Sequence, residues 1–262
     1  MSHGMPLVVS RAGPVGIVEL ARPGKFNGLS IAMTEGLQAA LDEFEAPGSG
    51  IHAVLVRAQG RNFCTGADLD EVLGLRGDAA EVQRFIGPAH RALRRLEASP
   101  LPIVAACQGL ALAGGLELMM ACDVAFAAAD ARFGDQHAQY GLLPGFGGSQ
   151  RLPRIVGARR ALDLFFSARW IDAETALQWG LVNYVVAPEA LADAALHYCR
   201  TLATRSRPGL ATMKRLARAS LEVSLDAGLA LEEAGVVDGL LHDDASEGLA
   251  AFRARRSPRF GP

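Results

Sequence analysis

Residues 108–118 read Gln-Gly-Leu-Ala-Leu-Ala-Gly-Gly-Leu-Glu-Leu, and the rest of the chain is arranged around them. An apolar run at 102–107 precedes them and predicts a buried strand, and a second apolar segment at 118–122 follows. The chain thus passes from a strand through a glycine turn into a helix, whose first turn exposes unbonded N–H groups and a partial positive charge. Glycine lets another molecule approach this backbone closely. Because Glu117 lies one helical turn beyond Gly114, the stretch predicts an anion site with an acid or base beside it.

A second glycine turn of the same kind follows the predicted strand at 53–56. Residues 64–68 read Cys-Thr-Gly-Ala-Asp, and Asp68 is placed to cap the helix that follows. Two such turns that converge on one oxygen would form an oxyanion hole, in which each N–H donor contributes about 3 kcal/mol. Alternatively, each is only a tight turn, and Glu117 only caps the N–H groups of its own helix. A dinucleotide-binding loop is a third interpretation, but residues 109–114 lack the middle glycine of G-x-G-x-x-G.

Strands and helices alternate up to about residue 190, which predicts an α/β fold with a largely parallel sheet. The predicted strands lie at 7–9, 15–20, 53–56, 102–107, 123–127 and 181–186, and residues 132–134 are predicted as a short extended piece. The predicted helices lie at 33–44, 82–96, 158–167 and 173–179, with Ser30 and Asp172 as N-caps, whereas residues 135 to about 149 are too glycine-rich for a regular element. Residues 188–256 read as a helical tail broken near 206–208 and 243–244. Since this tail has apolar stripes and no core of its own, we expect it to pack on a neighbouring subunit.

Length and charge exclude several classes of protein. The chain has 262 residues, and its 26 Lys and Arg nearly balance 28 Asp and Glu, so we expect no attraction to nucleic acid. No apolar run approaches the length of a membrane span, and we expect neither a membrane segment nor a leader. The four cysteines are scattered without metal-ligand spacing, which predicts reduced core residues, no metal site and a cytoplasmic protein.

The motifs resemble those of the enoyl-CoA hydratase/isomerase (crotonase) superfamily. The resemblance lies in the Gly-Ala-Asp of residues 66–68, in the Gly-Gly-Leu-Glu of 114–117 and in the glycine-rich run 141–152. It continues in 173–185 and in the tail at 247–260, so it covers nearly the whole chain in the right order.

This resemblance implies a spiral of ββα units in residues 1–190, which holds the acyl-CoA site. It implies a C-terminal helical region in residues 191–262 that forms homotrimers, often paired into hexamers, and completes the coenzyme A pocket. The substrate would be an acyl thioester of coenzyme A, with no further cofactor. The backbone N–H groups of Ala67 and Gly114 would hold its carbonyl oxygen and stabilise an enolate-like anion.

The resemblance also implies which residues contact coenzyme A. Lys25 and Phe26 lie in the corresponding first loop, and Ala67, Asp68 and Leu69 lie in the second glycine turn. Phe252 and Arg256 lie in the part of the tail that reaches a neighbouring subunit's coenzyme A. The alternatives are that Lys25 and Arg256 are ordinary solvated charges and that Phe252 packs in the core.

Two glutamates perform hydration in the hydratases of this family, and only one of them is present here. Glu117 stands at the first position, but the second position, four residues before Gly141, is His137. Hydration needs one group to deprotonate water and one to protonate the α-carbon. Glu117 fits the first task, and His137 fits the second because imidazole titrates near neutral pH. Asp135 is a weaker substitute, and the alternative is that His137 is only a wall or loop-anchoring residue.

Three functions follow from these residues. The first is an enoyl-CoA hydratase, which adds water across the 2,3-double bond of an enoyl-CoA. The second is another enolate reaction on the same scaffold, namely double-bond isomerisation, thioester hydrolysis or C–C cleavage, and His137 in place of a glutamate motivates it. The third is a non-catalytic acyl-CoA-binding protein.

Overall fold

The computed structural model describes residues 6–75 and 77–261 and contains two sheets. The strands are β1 (Leu7–Ala12), β2 (Val15–Leu20), β3 (Ala53–Ala58), β4 (Ile103–Cys107), β5 (Leu110–Leu112), β6 (Val124–Ala128), β7 (Arg132–Gly134), β8 (Ile171–Asp172) and β9 (Tyr184–Val186). The large sheet has the order β1-β2-β3-β4-β6-β9, in which only β1 runs antiparallel to its neighbour. The small sheet has the order β5-β7-β8. The predicted α/β class with a largely parallel sheet is confirmed.

Helices connect and cover these strands. They are α1 (Ile31–Glu45), α2 (Leu69–Gly74), α3 (Ala79–Ala98), α4 (Gly114–Ala121), α5 (Gly148–Val156), α6 (Ala158–Ser167), α7 (Ala173–Gln178), α8 (Leu191–Leu202), α9 (Arg207–Ala219), α10 (Leu225–Leu241) and α11 (Asp243–Arg253). Short 3₁₀ helices lie at Pro23–Lys25, His137–Tyr140 and Pro188–Ala190. Within the described ranges, no helix is long and apolar enough to cross a membrane.

Local side-chain caps fix where several helices begin. The Ser30 hydroxyl accepts a hydrogen bond from the Met33 amide at 3.2 Å, and the Asp172 carboxylate accepts one from the Thr175 amide at 2.9 Å. Asp68 caps α2 by accepting from the Asp70 amide at 3.0 Å. Each cap satisfies an N–H group that has no partner within its helix. The predicted capping roles of Ser30, Asp68 and Asp172 are confirmed.

The core lies around the large sheet. Every residue of β4 is buried, as expected for a parallel strand covered on both faces. Helix α8 packs against β3 and β4, so the first helix of the predicted C-terminal region contributes to this core. Helices α9, α10 and α11 contact one another in sequence, and the division at residue 190 stays a prediction. All four cysteines are buried as free thiols, as predicted.

The structure differs from the sequence-based expectation at several elements, among them the two-residue strand β8, where no strand was predicted. The strand β5 was not predicted, because three residues between glycines carry no periodic signal, and its pairing with β7 and with Cys64 depends on distant segments. The glycine-rich run contains a 3₁₀ helix at His137–Tyr140, and α5 begins at Gly148. The strand β9 is shorter than the predicted 181–186, since Leu181 and Val182 form the buried end of the turn after α7. The tail has an additional break at 220–224, where Ser224 caps α10.

Candidate active site

The two glycine turns are in direct contact. A Cβ at Gly115 would lie 2.0 Å from the carbonyl oxygen of Cys64, so only glycine fits where α4 crosses the second turn. The Leu112 amide donates to the same Cys64 oxygen at 2.9 Å. Gly66 has a φ of 126°, and a Cβ there would lie 3.2 Å from the Cβ of Ala113. The structure therefore brings the starts of α2 and α4 together.

Both predicted oxyanion donors have unused N–H groups. The Leu29 amide donates to Gly66 and the Asp68 amide donates to Leu29, and these bonds flank Ala67 without using its N–H. Gly114 is the first residue of α4, where no intrahelical acceptor exists. Across residues 6–75 and 77–261, neither the Ala67 amide nor the Gly114 amide donates a hydrogen bond. The two amides are thus available to an oxygen from outside the chain.

The carboxylate of Glu117 is buried, with 1 % of the residue exposed. Its Oε1 accepts hydrogen bonds from the amides of Phe146 at 2.8 Å and Gly148 at 2.6 Å. Because Oε1 accepts from amides of a distant loop and not from its own helix, the interpretation of Glu117 as a cap of that helix is wrong. Its Oε2 is buried and has no hydrogen-bond partner in the described chain. Burial raises the pKa of Glu117, and the Gly148 and Phe146 amides and the charge of His137 oppose this shift only in part.

Arg151 braces the loop that holds Glu117, and sequence reasoning missed it. Its Nη1 donates to the Phe146 carbonyl at 2.7 Å. Its Nε and Nη2 donate to the two carboxylate oxygens of Glu97 on α3, at 2.7 and 2.8 Å. A bidentate pair of this kind fixes orientation as well as charge. Arg151 lies in the glycine-rich run 141–152, which carries part of the family resemblance, so the sequence could have indicated it. Its partner Glu97 is distant in the sequence and could not be inferred.

His137 lies beside Asp135. The Nδ1 of His137 is 3.0 Å from Oδ1 of Asp135, an ion-pair distance, although the ring orientation does not meet hydrogen-bond geometry. Charge attraction is therefore the interaction that we assign to this contact. Burial lowers the pKa of His137, but the Asp135 carboxylate and the charge of Glu117 raise it more, so the net shift is upward. Glu117 and His137 thus favour each other's charged forms.

The predicted coenzyme A contacts of the first loop lie at the surface near α2. The Lys25 ammonium contacts the Asp70 carboxylate, and both side chains are exposed. Phe26 is 56 % exposed and Leu69 is 64 % exposed, which is unusual for large apolar residues. By contrast, the Asp68 carboxylate is buried and pairs with Arg22 at 2.6 Å, so its charge is already used within the chain.

The predicted contacts of the tail lie on α11 and just after it. Phe252 is 83 % exposed, so the interpretation that it packs in the core of this chain is wrong. Arg256 forms a bidentate ion pair with Glu247 at 2.6 and 2.8 Å. Helix α11 packs against α10. In the described part of the chain, the side-chain hydrogen bonds of Arg256 run to Glu247 and to the carbonyl of Ser257.

Asn27 is a further residue that sequence reasoning missed. It is 1 % exposed, and its Nδ2 donates to the carbonyls of Gln59 and Asn62, both at 2.9 Å. Its Oδ1 accepts from the Arg22 amide at 2.9 Å. The side chain thereby joins the first loop to the segment that leads into the second glycine turn. In the parts of the chain that the structure covers, no group of three His, Cys, Asp or Glu residues is placed to hold a metal ion.

Comparison with other sequences gives one consistent family. The sequence pattern of the family described as "Enoyl-CoA hydratase/isomerase" matches residues 11–262. A "Probable enoyl-CoA hydratase" of Rhizobium meliloti is 36 % identical over 254 residues, covering 97 % of each chain. A "Short-chain-enoyl-CoA hydratase" of Clostridium acetobutylicum is 31 % identical over 250 residues, covering 95 % of each. The mitochondrial "Methylglutaconyl-CoA hydratase" of Mus musculus is 35 % identical over 239 residues, covering 89 % of this chain and 75 % of that protein.

Solved structures agree with the sequence matches. A crystal structure of an enoyl-CoA hydratase from a Polaromonas species superposes with a TM-score of 0.94 at 30 % identity, covering 97 % of this chain and 99 % of the other. One from Geobacillus kaustophilus superposes with a TM-score of 0.92 at 32 % identity, covering 99 % of each. Both are similar over the whole fold, which confirms the predicted crotonase-like architecture. The chain therefore belongs to the enoyl-CoA hydratase/isomerase family and is an enzyme of that family.

Proposed function

We propose that the chain is an enoyl-CoA hydratase, which adds water across the 2,3-double bond of a 2-enoyl-CoA. The observation that carries this proposal is the carboxylate of Glu117, whose Oε1 is held by two amides while its buried Oε2 has no partner in the described chain. An oxygen left free in this way can accept a proton from water. Relatives named as hydratases, at 31–37 % identity, support the same reaction.

The thioester oxygen would bind between the amides of Ala67 and Gly114. Both N–H groups are unused in the described chain, and the turns that carry them are in contact. When water attacks C3, the electrons of the double bond move toward the thioester and leave negative charge on its oxygen. Two fixed donors stabilise this charge without reorganising, which is the usual source of the largest single catalytic contribution.

Protons balance through two side chains. Glu117 accepts one proton from the attacking water, and the remaining hydroxyl bonds to C3. His137 gives one proton to C2 as the enolate collapses, so the product has gained one water. The upward shift in the pKa of His137 favours the protonated form that this step needs. Transfer of the proton from Glu117 to His137 through solvent restores the starting state.

Coenzyme A would contact Lys25, Phe26, Ala67, Asp68 and Leu69, and the reaction would need no further cofactor. Lys25, Phe26 and Leu69 are exposed, as such contacts require, whereas Asp68 would act through its backbone because its carboxylate pairs with Arg22.

The active enzyme would be a homotrimer or a dimer of trimers. In such an assembly Phe252 and Arg256 would reach a neighbouring subunit's coenzyme A, and the exposure of Phe252 supports this role. A cytoplasmic location stays a prediction.

The test is purified protein with crotonyl-CoA and with longer 2-enoyl-CoA esters. Hydration removes the conjugated double bond, so the absorbance of the enoyl thioester should fall, and Glu117→Gln should slow this fall by about 10²- to 10⁴-fold. Binding of every ester without any loss of absorbance would contradict the proposal.

A different enolate reaction is the second candidate, and His137 at the position of a glutamate is the observation that favours it. The mass of the product separates the possibilities. Hydration adds the mass of water, isomerisation adds none, and thioester hydrolysis releases free coenzyme A.

A further inference from the structure

Asp135 is a buried acid that the proposed reaction does not use directly. It follows β7 immediately and is 2 % exposed. Gln136, the next residue, has a φ of 66°, so the chain reverses at this point. The reversal brings His137 back to the preceding carboxylate, where Oδ1 of Asp135 lies 3.3 Å from the His137 amide nitrogen and 3.0 Å from Nδ1. One carboxylate oxygen therefore contacts both the backbone and the ring of His137.

The buried charge of Asp135 needs a cation, because an unpaired carboxylate away from water is costly. In the portion of the chain covered by the structure, His137 is the recorded side-chain partner of Asp135. The charges that act on the His137 ring are those of Asp135 and Glu117, and both are negative. A protonated imidazole compensates these charges.

The neighbouring helix α6 packs on the 3₁₀ helix of His137, and its charged residues are engaged elsewhere. Asp163 pairs with Arg169 at 2.6 Å. Arg160 lies over the ring of Trp179, 5.2 Å from its centroid, and Arg159 is exposed. The charges that act on the His137 ring are therefore those of Asp135 and Glu117, and they outweigh the effect of burial.

We propose that Asp135 is a positioning residue for His137: its carboxylate lies against Nδ1 and keeps the imidazole protonated by charge attraction, which leaves Nε2 as the nitrogen that donates a proton to the substrate. The aspartate–histidine pair then donates the proton that a single carboxylic acid would otherwise donate from this position. The proposal rests on the proposed function, since it assigns His137 as the proton donor to C2. It also replaces the expectation that Asp135 is itself the second acid, because the Asp135 carboxylate is directed at the ring.

The first test needs no substrate. The His137 ring signal is followed by NMR titration in the wild type and in Asp135→Asn, and it is assigned by its loss in His137→Ala. We expect the pKa of His137 to lie above that of an exposed histidine in the wild type and to fall in Asp135→Asn. The exposed Asp130, on the turn before β7, gives the matched control Asp130→Asn, in which the pKa of His137 should not change.

The second test follows the pH profile. A donor must be protonated, so kcat should decline as the pH rises through the pKa of His137. In Asp135→Asn this decline should move to lower pH, and kcat at neutral pH should fall by about 10- to 100-fold, the range known for carboxylates that orient metal-binding histidines. The KM should change little, because Asp135 is buried and its carboxylate lies against His137. Asp135→Glu should recover part of the loss.

The outcomes separate this proposal from the proposed function. If hydration occurs and the pKa of His137 is the same in the wild type and in Asp135→Asn, the role of Asp135 is wrong and the hydratase assignment stands. If no enoyl-CoA is hydrated while the pKa of His137 depends on Asp135, the hydratase assignment is wrong and the effect of Asp135 on His137 stands. If Asp135→Asn does not fold, the wild-type titration decides: a pKa of His137 at or below that of an exposed histidine overturns the proposal.

Discussion

Glu117 combines burial with a charge that the reaction requires, and this combination has a cost in stability. Because burial raises its pKa in the folded chain, the folded state binds a proton more tightly than the unfolded state does. Protonation of Glu117 therefore stabilises the fold. This stabilisation is complete below the pKa of an ordinary carboxyl group, and it is lost as the pH rises through the raised pKa of Glu117. At neutral pH the ionised Glu117 makes the fold less stable than a neutral residue of the same shape.

Glu117→Gln tests this balance. Its amide oxygen can still accept from Phe146 and Gly148, while the buried charge is removed. We expect hydration to fall by about 10²- to 10⁴-fold, and the melting temperature at neutral pH to stay equal or rise. Activity assays and thermal unfolding of the same preparation give both values. A large drop in melting temperature would mean that Glu117 is mainly structural.

His137 is tested by two substitutions of the same side chain. His137→Ala removes the proton donor, and we expect kcat to fall by about 10²- to 10⁴-fold. His137→Glu introduces another titratable acid at this place and should recover part of the rate. A change under roughly tenfold in His137→Ala would return His137 to a wall or loop-anchoring role.

For single residues, the sequence predicted Glu117 as a candidate acid or base, but it did not predict the groups that bind its carboxylate. The Glu117 carboxylate is bound by backbone amides 29 and 31 residues further along the chain. Residues of almost every type carry a backbone amide, so no sequence motif identifies these donors. The contact between Asp135 and His137 was also not predicted, because it depends on the reversal at Gln136.

At the scale of elements, the loop before α5 is the part that must stay rigid. It presents two amides to Glu117, and Arg151 ties it to α3 through Glu97. Small displacements of a reacting group can cost a large factor in rate. The geometry of Glu117 therefore depends on an ion pair that does not touch it.

Arg151→Lys should expose this dependence. Lysine keeps the charge but cannot donate to Glu97 in bidentate fashion and to the Phe146 carbonyl at once. We expect kcat to fall by about 10- to 100-fold, with a smaller change in KM. Arg154→Lys, at an exposed position on the same helix, is the matched control and should leave kcat unchanged. Equal effects of the two substitutions would refute the bracing role of Arg151.

Element boundaries were predictable where the signal is local. Ser30, Asp68 and Asp172 cap helices through bonds that span two or three residues, and each was predicted. The strand β5 was not predicted, since it exists through pairing with β7 and through the Cys64 carbonyl. Signals that depend on tertiary pairing are absent from a short apolar run.

In the whole molecule, helix α10 is the element whose exposed apolar residues indicate contact with a partner. It is a 17-residue helix whose buried positions comprise only Gly235. Its exposed large apolar residues are Leu225, Leu229, Leu231, Val236, Val237, Leu240 and Leu241. An exposed apolar surface of this kind marks an interaction site, and each Leu or Val that becomes covered contributes about 1.5 to 3 kcal/mol.

We expect sedimentation to give a homo-oligomer of the 27.6-kDa chain. The double substitution Val237→Asp and Leu240→Asp should shift it toward monomer, because a charge in a covered apolar contact is costly. Glu233→Gln on the same helix is the control and should leave the assembly intact. A wild-type chain that sediments as a monomer would contradict the expected assembly.

The alternation of strands and helices sufficed to predict the α/β class, because each element carries its own periodicity. The order β1-β2-β3-β4-β6-β9 and the small sheet were beyond that reasoning, since strand order depends on pairings between distant segments. The resemblance supplied the crotonase-like architecture, which the solved structures confirm.

The mass of the product decides whether this enzyme adds water to an enoyl thioester. The wild-type protein is incubated with crotonyl-CoA in water enriched in heavy oxygen, and the intact thioester product is analysed by mass spectrometry. We predict a product that is heavier by one water and carries the heavy oxygen on its acyl part, and Glu117→Gln should form it about 10²- to 10⁴-fold more slowly. A thioester of unchanged mass, or free coenzyme A, would contradict the hydratase assignment.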